Sequence, residues 1–133
     1  MFAVHAVAHP DRCELFVPRT PIWTSPDTYL EPDLFLVATE RLRVMDAGRL
    51  TTADLVVEIM SPASAMYDRT AKADTYAALG VRELWLVDLE RASIEQRVLG
   101  EETWKVVGTY SGSEPVDAVT FPGLRVVPRQ LFP

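Results

Sequence analysis

The segment that most constrains the fold is DLVVEIMSP (residues 54–62), in which Glu58 interrupts an otherwise apolar run. A run of this kind is typical of a strand that is buried on both faces of a sheet. A carboxylate buried there is costly unless a partner group or a cation stabilises it. The sequence therefore predicts a central strand over residues 54–60 and requires a partner for Glu58.

Further strands are predicted on both sides of this one. CELFVP and DLFLVA come before it and VRELWLVDL comes after it, and each is a short apolar or alternating run of the strand type. SIEQRVL and WKVVGTY, separated by a turn that contains Gly100, predict a hairpin near the C-terminus. The remaining segments, residues 18–32 and 39–52, are proline-rich or charged and are expected to be connections.

One helix is predicted between the strands. SPASAMYDRTAKADTYAALG (residues 61–80) is rich in alanine, opens with serines that suit an N-cap and ends at Gly80, where a C-cap glycine is expected. A helix between two strands crosses over the sheet that contains them. The order of elements therefore predicts an α/β or α+β fold, with a mixed sheet, a crossover helix and a C-terminal β-hairpin.

Length and composition indicate a single domain, residues 1–133. A chain of 133 residues that is 48% hydrophobic suits one core. The net charge of −6 argues against a protein that coats nucleic acid by charge alone, because such binding needs clustered Lys and Arg. A metal-dependent site remains open, since a bound cation changes the local field.

The sequence also predicts a cytoplasmic protein. As the one cysteine of the chain, Cys13 excludes an internal disulfide, which is typical of a reducing compartment. The opening MFAVHAVAH lacks the cationic start and the length of a signal peptide. No apolar run approaches the roughly 20 residues that span a bilayer.

Two carboxylates come together if the second and third predicted strands are antiparallel neighbours. With Val37 opposite Asp54, Asp33 falls opposite Glu58, because the numbers of paired residues sum to a constant. Directly opposed side chains lie about 4.5–5.5 Å apart at Cβ, and two carboxylates at that separation repel unless one is protonated or a cation lies between them. Asp54 lies roughly 13 Å along the strand from Glu58, too far to share an ion. A divalent metal such as Mg²⁺ would satisfy Asp33 and Glu58.

The predicted helix carries a polar face. Asp68, Lys72, Tyr76 and Leu79 recur at helical spacing and lie on one side. Tyr76 and Leu79 are expected to pack on the sheet, which would point Lys72 inward as well. Alternatively, Asp68 and Lys72 form a surface pair at i, i+4, worth about 0.3–0.5 kcal/mol. Helix geometry alone leaves both arrangements open.

Taken in order, these motifs resemble the Uma-two family of "putative restriction endonucleases", which belongs to the PD-(D/E)xK nuclease-like superfamily. The similarity runs from about Cys13 to the C-terminus and includes FPGL near the end. The motifs are EPDLFLV, DLVVEIMSPAS, YDRTAKADTYAALGV and ELWLVD. Each motif alone is common, whereas the ordered set is specific. The resemblance implies a restriction-endonuclease-like fold, with DNA as substrate and Mg²⁺ or Mn²⁺ as cofactor.

The resemblance also implies roles for individual residues. Asp33 and Glu58 match the acidic metal ligands, and the backbone carbonyl of Ile59 would be a further metal contact. Lys72 matches the catalytic lysine, which orients or activates a water and stabilises the charge that develops on phosphorus. Asp68 and Tyr76 are expected to support these residues.

The chain departs from the family pattern in two places. Met60 stands where the superfamily lysine normally lies, two residues after the glutamate, so Lys72 is interpreted as a migrated equivalent. The family's usual N-terminal helical region has no recognisable counterpart. The alternative function is therefore a catalytically inactive domain of the same fold that acts as a binding or oligomerisation module. A third is hydrolysis of another phosphate ester at the same metal site.

Four other residues have simpler explanations than catalysis. His5 and His9 have the H-x-x-x-H spacing of metal ligands, but FAVHAVAHP also fits an extended segment in which such histidines are incidental. Ser61 and Ser64 have no histidine nearby in sequence, as a serine nucleophile would require, and both suit helix caps.

The C-terminal hairpin leads us to expect self-association. It carries Trp104 and Tyr110 and is predicted to face solvent. Open strand edges invite pairing with another chain, and two-fold dimers are the commonest outcome. We therefore expect a homo-oligomer, and specifically a dimer.

Overall fold

The computed structural model describes residues 13–45 and 48–132. In chain order the strands are β1 (Cys13–Phe16), β2 (Ile22–Ser25), β3 (Thr28–Leu30), β4 (Leu34–Ala38), β5 (Leu55–Met60), β6 (Glu83–Asp88), β7 (Ser93–Leu99), β8 (Trp104–Ser111), β9 (Val116–Asp117) and β10 (Arg125–Val126). The helices are α1 (Thr39–Leu42), α2 (Ala65–Tyr67), α3 (Ala73–Ala78) and α4 (Pro128–Leu131), and a π-helical turn (Asp68–Lys72) joins α2 to α3.

Six strands form one mixed sheet in the order β1-β4-β5-β6-β7-β8. The strands β5 and β6 are parallel, and every other neighbouring pair in this sheet is antiparallel. A parallel pair needs a crossover connection, and residues 65–78, here named the central helix, supply it. The predicted mixed sheet with a crossover helix and a C-terminal hairpin is confirmed.

Of the two predicted N-cap positions, Ser61 and Ser64, the central helix uses the second, and it ends as predicted. Ser64 is its N-cap residue, although the Ser64 side chain makes no capping hydrogen bond to the backbone. Gly80 has φ +83°, a left-handed conformation that favours glycine, and it lies just past the C-cap residue Leu79. The π-helical turn was not predicted from the sequence; such turns are often found at functional sites.

Each face of the sheet carries its own core. Leu55, Val57 and Trp85 belong to one core, which the C-terminal segment with Phe121 and Leu124 covers. The other core lies between the sheet and the central helix and is built from Val56, Met60, Ala73, Tyr76 and Leu86, among others. Because side chains alternate along a strand, Glu58 shares the helix-facing side of β5 with Val56 and Met60.

Two predicted connections contain regular structure. Residues 18–32 include the hairpin β2–β3, which Ile22 anchors in the core beneath the central helix with 0% exposure. Residues 39–52, expected to be an exposed loop, include the short helix α1. Strands of three or four residues between prolines are too short to show an alternating pattern, which is why β2 and β3 were missed.

The β7–β8 hairpin, predicted to face solvent, does so only in part, because its two aromatic residues are half-buried. Trp104 packs against the core under the central helix and donates a hydrogen bond from Nε1 to the carbonyl of Ala73 at 2.7 Å. Tyr110 packs on the opposite core and donates from its hydroxyl to Oε1 of Gln96 at 3.1 Å. The side chains of β8 that do face solvent include Val106 and Val107.

Within the described residues, no helix is long and apolar enough to cross a membrane. His5 and His9 lie outside the described residues.

Candidate active site

The register between β4 and β5 places Asp33 beside Glu58. The paired residues are Leu34 with Val57, Phe35 with Val56 and Leu36 with Leu55, so each pair sums to the predicted constant. Asp33 and Glu58 are the next pair in this register, just beyond the last paired residues. At this point a side chain replaces the backbone hydrogen bonds between the two strands. The Oδ2 atom of Asp33 accepts a hydrogen bond from the backbone N–H of Ile59 at 2.7 Å.

Glu58 is buried and bound by two donors. Its side chain is 2% exposed, and Oε2 accepts a short hydrogen bond from the hydroxyl of Tyr76 and lies 2.9 Å from Nζ of Lys72. Burial raises the pKa of Glu58 to about 7, and the neighbouring Asp33 carboxylate raises it further. The hydrogen bonds from Tyr76 and Lys72 lower the pKa and offset this rise only in part.

The central helix turns its polar face inward. Lys72 Nζ lies between Glu58 Oε2 at 2.9 Å and Asp68 Oδ1 at 3.7 Å, and the Lys72 side chain is 17% exposed. Burial acts to lower the pKa of Lys72, but the negative charges of Glu58 and Asp68 outweigh it and leave the pKa raised. Of the two arrangements that helix geometry left open, the structure has the inward one. Asp68 and Lys72 form their i, i+4 pair inside the site, not on the surface.

Ser64 extends this chain of contacts. Its hydroxyl donates to Oδ2 of Asp68 at 3.0 Å and accepts from the backbone N–H of Ser61 at 3.2 Å. The sequence predicted a helix cap here, and Ser64 does hold the N-cap position, but its side chain orients the carboxylate beside Lys72. In the sequence, the spacing of one helical turn between Ser64 and Asp68 was the pattern that indicated this contact.

Comparison with known proteins identifies the family. A family model described as "Uma2: Putative restriction endonuclease" matches residues 1–129. The chain belongs to the Uma2 family. No curated protein matches it significantly.

A solved structure shares the fold of this Uma2 chain. It is described as a "putative nuclease belonging to DUF820" from Anabaena variabilis ATCC 29413, and it is similar with a TM-score of 0.73 at 18% identity. The match covers 97% of the chain and 73% of the solved one. At this identity the similarity shows the fold, which agrees with the predicted nuclease-like architecture.

The donors near Glu58 fit a divalent ion of the Mg²⁺ type. Within the described residues, no group of three or more His, Cys, Asp or Glu side chains is placed to hold a metal. Asp33 and Glu58 do supply two adjacent carboxylates, and the Ile59 carbonyl lies on the strand segment that Asp33 contacts. Mg²⁺ is commonly held by one or two carboxylates while it keeps several waters and binds substrate phosphates. A pair of carboxylates with a nearby carbonyl matches that requirement.

A second buried carboxylate, Glu83, lies on the other face of the sheet and was not singled out from the sequence. It is 0% exposed. Its Oε2 accepts from Trp85 Nε1 at 2.8 Å and from Gln96 Nε2 at 2.7 Å, and its Oε1 accepts from the backbone N–H groups of Val119 and Thr120 and from the Thr120 hydroxyl. Glu83 therefore attaches the loop after β9 to the sheet. Its role is structural.

Proposed function

We propose that this Uma2 protein is a metal-dependent nuclease that hydrolyses phosphodiester bonds of DNA. The observation that carries the proposal is a buried glutamate, Glu58, with the carboxylate of Asp33 on one side and the ammonium group of Lys72 on the other. The family model, whose description is "Putative restriction endonuclease", supports DNA as the substrate.

Asp33, Glu58 and the carbonyl of Ile59 would hold Mg²⁺ or Mn²⁺. Bound there, the ion would supply a Lewis acid for a phosphate oxygen and lower the pKa of a bound water. The electrostatics are consistent with this assignment, because burial raises the pKa of Glu58 to about 7 even with Lys72 beside it. A cation near both carboxylates would favour their ionised forms.

Lys72 would act as a fixed positive charge. Because its pKa is raised, its ammonium group stays protonated at neutral pH, and a protonated amine cannot accept a proton from water. It can donate hydrogen bonds to the oxygens of a phosphate whose negative charge increases as water attacks phosphorus. Asp68 and Ser64 would hold the Lys72 ammonium in place, and Tyr76 would hold Glu58.

Cleavage of supercoiled plasmid in Mg²⁺ or Mn²⁺ tests the proposal. We expect the wild-type protein to nick or linearise the plasmid, and Asp33→Asn, Glu58→Gln and Lys72→Met to abolish cleavage. Glu31→Gln is the matched control, because Glu31 is an exposed carboxylate two residues before Asp33. Circular dichroism verifies that each variant is folded. Cleavage retained in Glu58→Gln would contradict the proposed site.

One observation favours a second function, a non-catalytic module of the same fold. The position two residues after Glu58 is Met60, a buried side chain in the core, so the glutamate has no lysine beside it on the strand. Calorimetry separates the two functions. A catalytic site requires Mg²⁺ or Mn²⁺ binding that is lost in Asp33→Ala. A folded wild-type protein that neither binds metal nor cleaves plasmid would favour the module.

A further inference from the structure

A cavity of about 380 Å³ opens where the two parallel strands end. It is lined by Met60 and Ser61 at the end of β5, by Asp88 at the end of β6, and by Arg69, Arg91 and Glu95. In open sheets that contain parallel strands, ligands bind in the crevice outside the carboxyl ends of those strands. This cavity lies at the corresponding place beside the parallel strand pair of the sheet.

Two of the three carboxylates that line the cavity, Glu95 and Asp88, already have partners, whereas the third, Glu90, is exposed and, among the described residues, forms no ion pair. One carboxylate oxygen of Glu95 accepts a hydrogen bond from Arg69 and the other accepts one from Arg97, both at 2.5 Å. These two contacts lower the pKa of Glu95. The Oδ1 atom of Asp88 accepts hydrogen bonds from the backbone N–H groups of Glu90 and Arg91, and its Oδ2 atom lies 3.7 Å from the guanidinium group of Arg69. The two arginines and two carboxylates of this cluster balance in charge.

Arg91 adds a positive charge outside this cluster, next to the exposed negative charge of Glu90. It lies exposed on the turn between β6 and β7, where its backbone N–H bonds to Asp88. Within the described residues, its guanidinium group takes part in no ion pair. Arg69 has five donor hydrogens, of which one bonds to Glu95, so it retains donors for a ligand. Hydroxyl groups of Ser61, Ser93 and Thr109 also line the cavity.

The cavity lies beside the candidate active site. Glu58 pairs with Leu86, and Leu86 pairs with Glu95, so the two glutamates lie in one row across the sheet. Two strand spacings separate them, roughly 10 Å. The central helix lies over this row: Asp68 contacts Lys72 near Glu58, and the next residue, Arg69, contacts Glu95.

We propose that this cavity binds a phosphate group in the backbone of the DNA strand that is cleaved at the candidate active site beside Glu58. The inference rests on the proposed function. Because the cavity lies roughly 10 Å from Glu58, the phosphate that it binds would belong to a nucleotide close to the scissile one. Arg69 and Arg91 supply the guanidinium donors, which match the geometry of phosphate oxygens.

The test measures binding of a fluorescent DNA duplex by anisotropy over a range of salt concentrations, in EDTA so that no cleavage occurs. Each phosphate contact contributes about 0.9 to the slope of log affinity against log salt concentration. Arg91→Gln should weaken binding and reduce the magnitude of that slope by about one. Glu90→Gln, on the same exposed turn, should strengthen binding because it removes a negative charge near the phosphate.

Arg43→Gln is the matched control. Arg43 is exposed and follows α1, next to the end of β4. Because β4 and β5 are antiparallel, this position lies near the start of β5, at the opposite end of the sheet from the cavity. Arg43→Gln should leave the slope unchanged.

The outcomes separate the two proposals. Wild-type binding with an unaltered slope in Arg91→Gln, or the same loss in Arg43→Gln, would overturn the phosphate site and leave the proposed nuclease standing. A folded wild-type protein without salt-dependent DNA binding would also overturn the phosphate site, whereas loss of the nuclease itself would appear as absent plasmid cleavage in Mg²⁺ or Mn²⁺.

Discussion

Lys72 and Glu58 form an ion pair of 2.9 Å at a place where the glutamate side chain is 2% exposed. The pair does not fully compensate for burial, because the pKa of Glu58 is still raised to about 7. A buried carboxylate that is costly to ionise adds little to stability at neutral pH, and its presence here is better explained by function. The ion pair therefore holds Glu58 and Lys72 where the proposed reaction needs them.

The raised pKa predicts how stability depends on pH. An unfolded glutamate has its ordinary pKa of 4.5, so between about pH 4.5 and 7 the folded protein binds more protons at Glu58 than the unfolded one. The contribution of this residue to the free energy of unfolding is therefore full below pH 4.5 and is lost as the pH rises through 7. The loss is on the order of 3 kcal/mol.

Urea unfolding in EDTA, at several pH values from 4.5 to 8.5, checks this prediction. Glu58→Gln cannot titrate at this position, so its stability relative to the wild type should rise with pH over this range. Parallel stability curves for the two proteins would show that Glu58 has no raised pKa.

Removal of the Tyr76 hydroxyl should destabilise the protein most at high pH. Tyr76 is 0% exposed and donates to Glu58, so Tyr76→Phe leaves the ionised carboxylate with fewer donors. We expect a loss of about 1–3 kcal/mol in the free energy of unfolding at pH 8.5 and less at pH 5, where Glu58 is protonated. Tyr67→Phe is the control, because Tyr67 is 54% exposed. An equal loss at both pH values would contradict the interpretation.

The contacts around Glu58 were predictable from the sequence where they follow a simple strand or helix period. The register of Asp33 and Glu58 follows from two adjacent strands joined by one connection, and the helix face follows from a spacing of four residues. The contacts of Glu83 with Val119 and Thr120 join residues 36 and 37 positions apart, and no periodic pattern reports such a contact. The π-helical turn was missed because its composition is that of an ordinary helix.

Glu83 should be among the residues most important for stability. The two oxygens of Glu83 accept five hydrogen bonds. The amide group of a glutamine in this place would point its own N–H groups at some of the groups that now donate to Glu83. Glu83→Gln should therefore lower the free energy of unfolding by at least about 1.5–3 kcal/mol, measured in urea. Glu14→Gln, at an exposed position of β1, should change it little. A fully stable Glu83→Gln variant would mean that the attachment of the loop after β9 does not depend on the charge.

The last prediction is that two copies pair through β8. This strand is eight residues long and lies at the edge of the sheet, with Val106 56% and Val107 49% exposed. An exposed edge with apolar side chains is a template for another strand, and a second β8 related by a two-fold axis would extend the sheet. Light scattering should give twice the 14.9 kDa mass of one chain. Val107→Lys should shift the protein to monomer, since a lysine at the edge opposes pairing, whereas Val119→Lys, at a 54% exposed valine outside the sheet, should not. A monomer mass over a hundredfold range of concentration, or a dimer that persists in Val107→Lys, would rule out this interface.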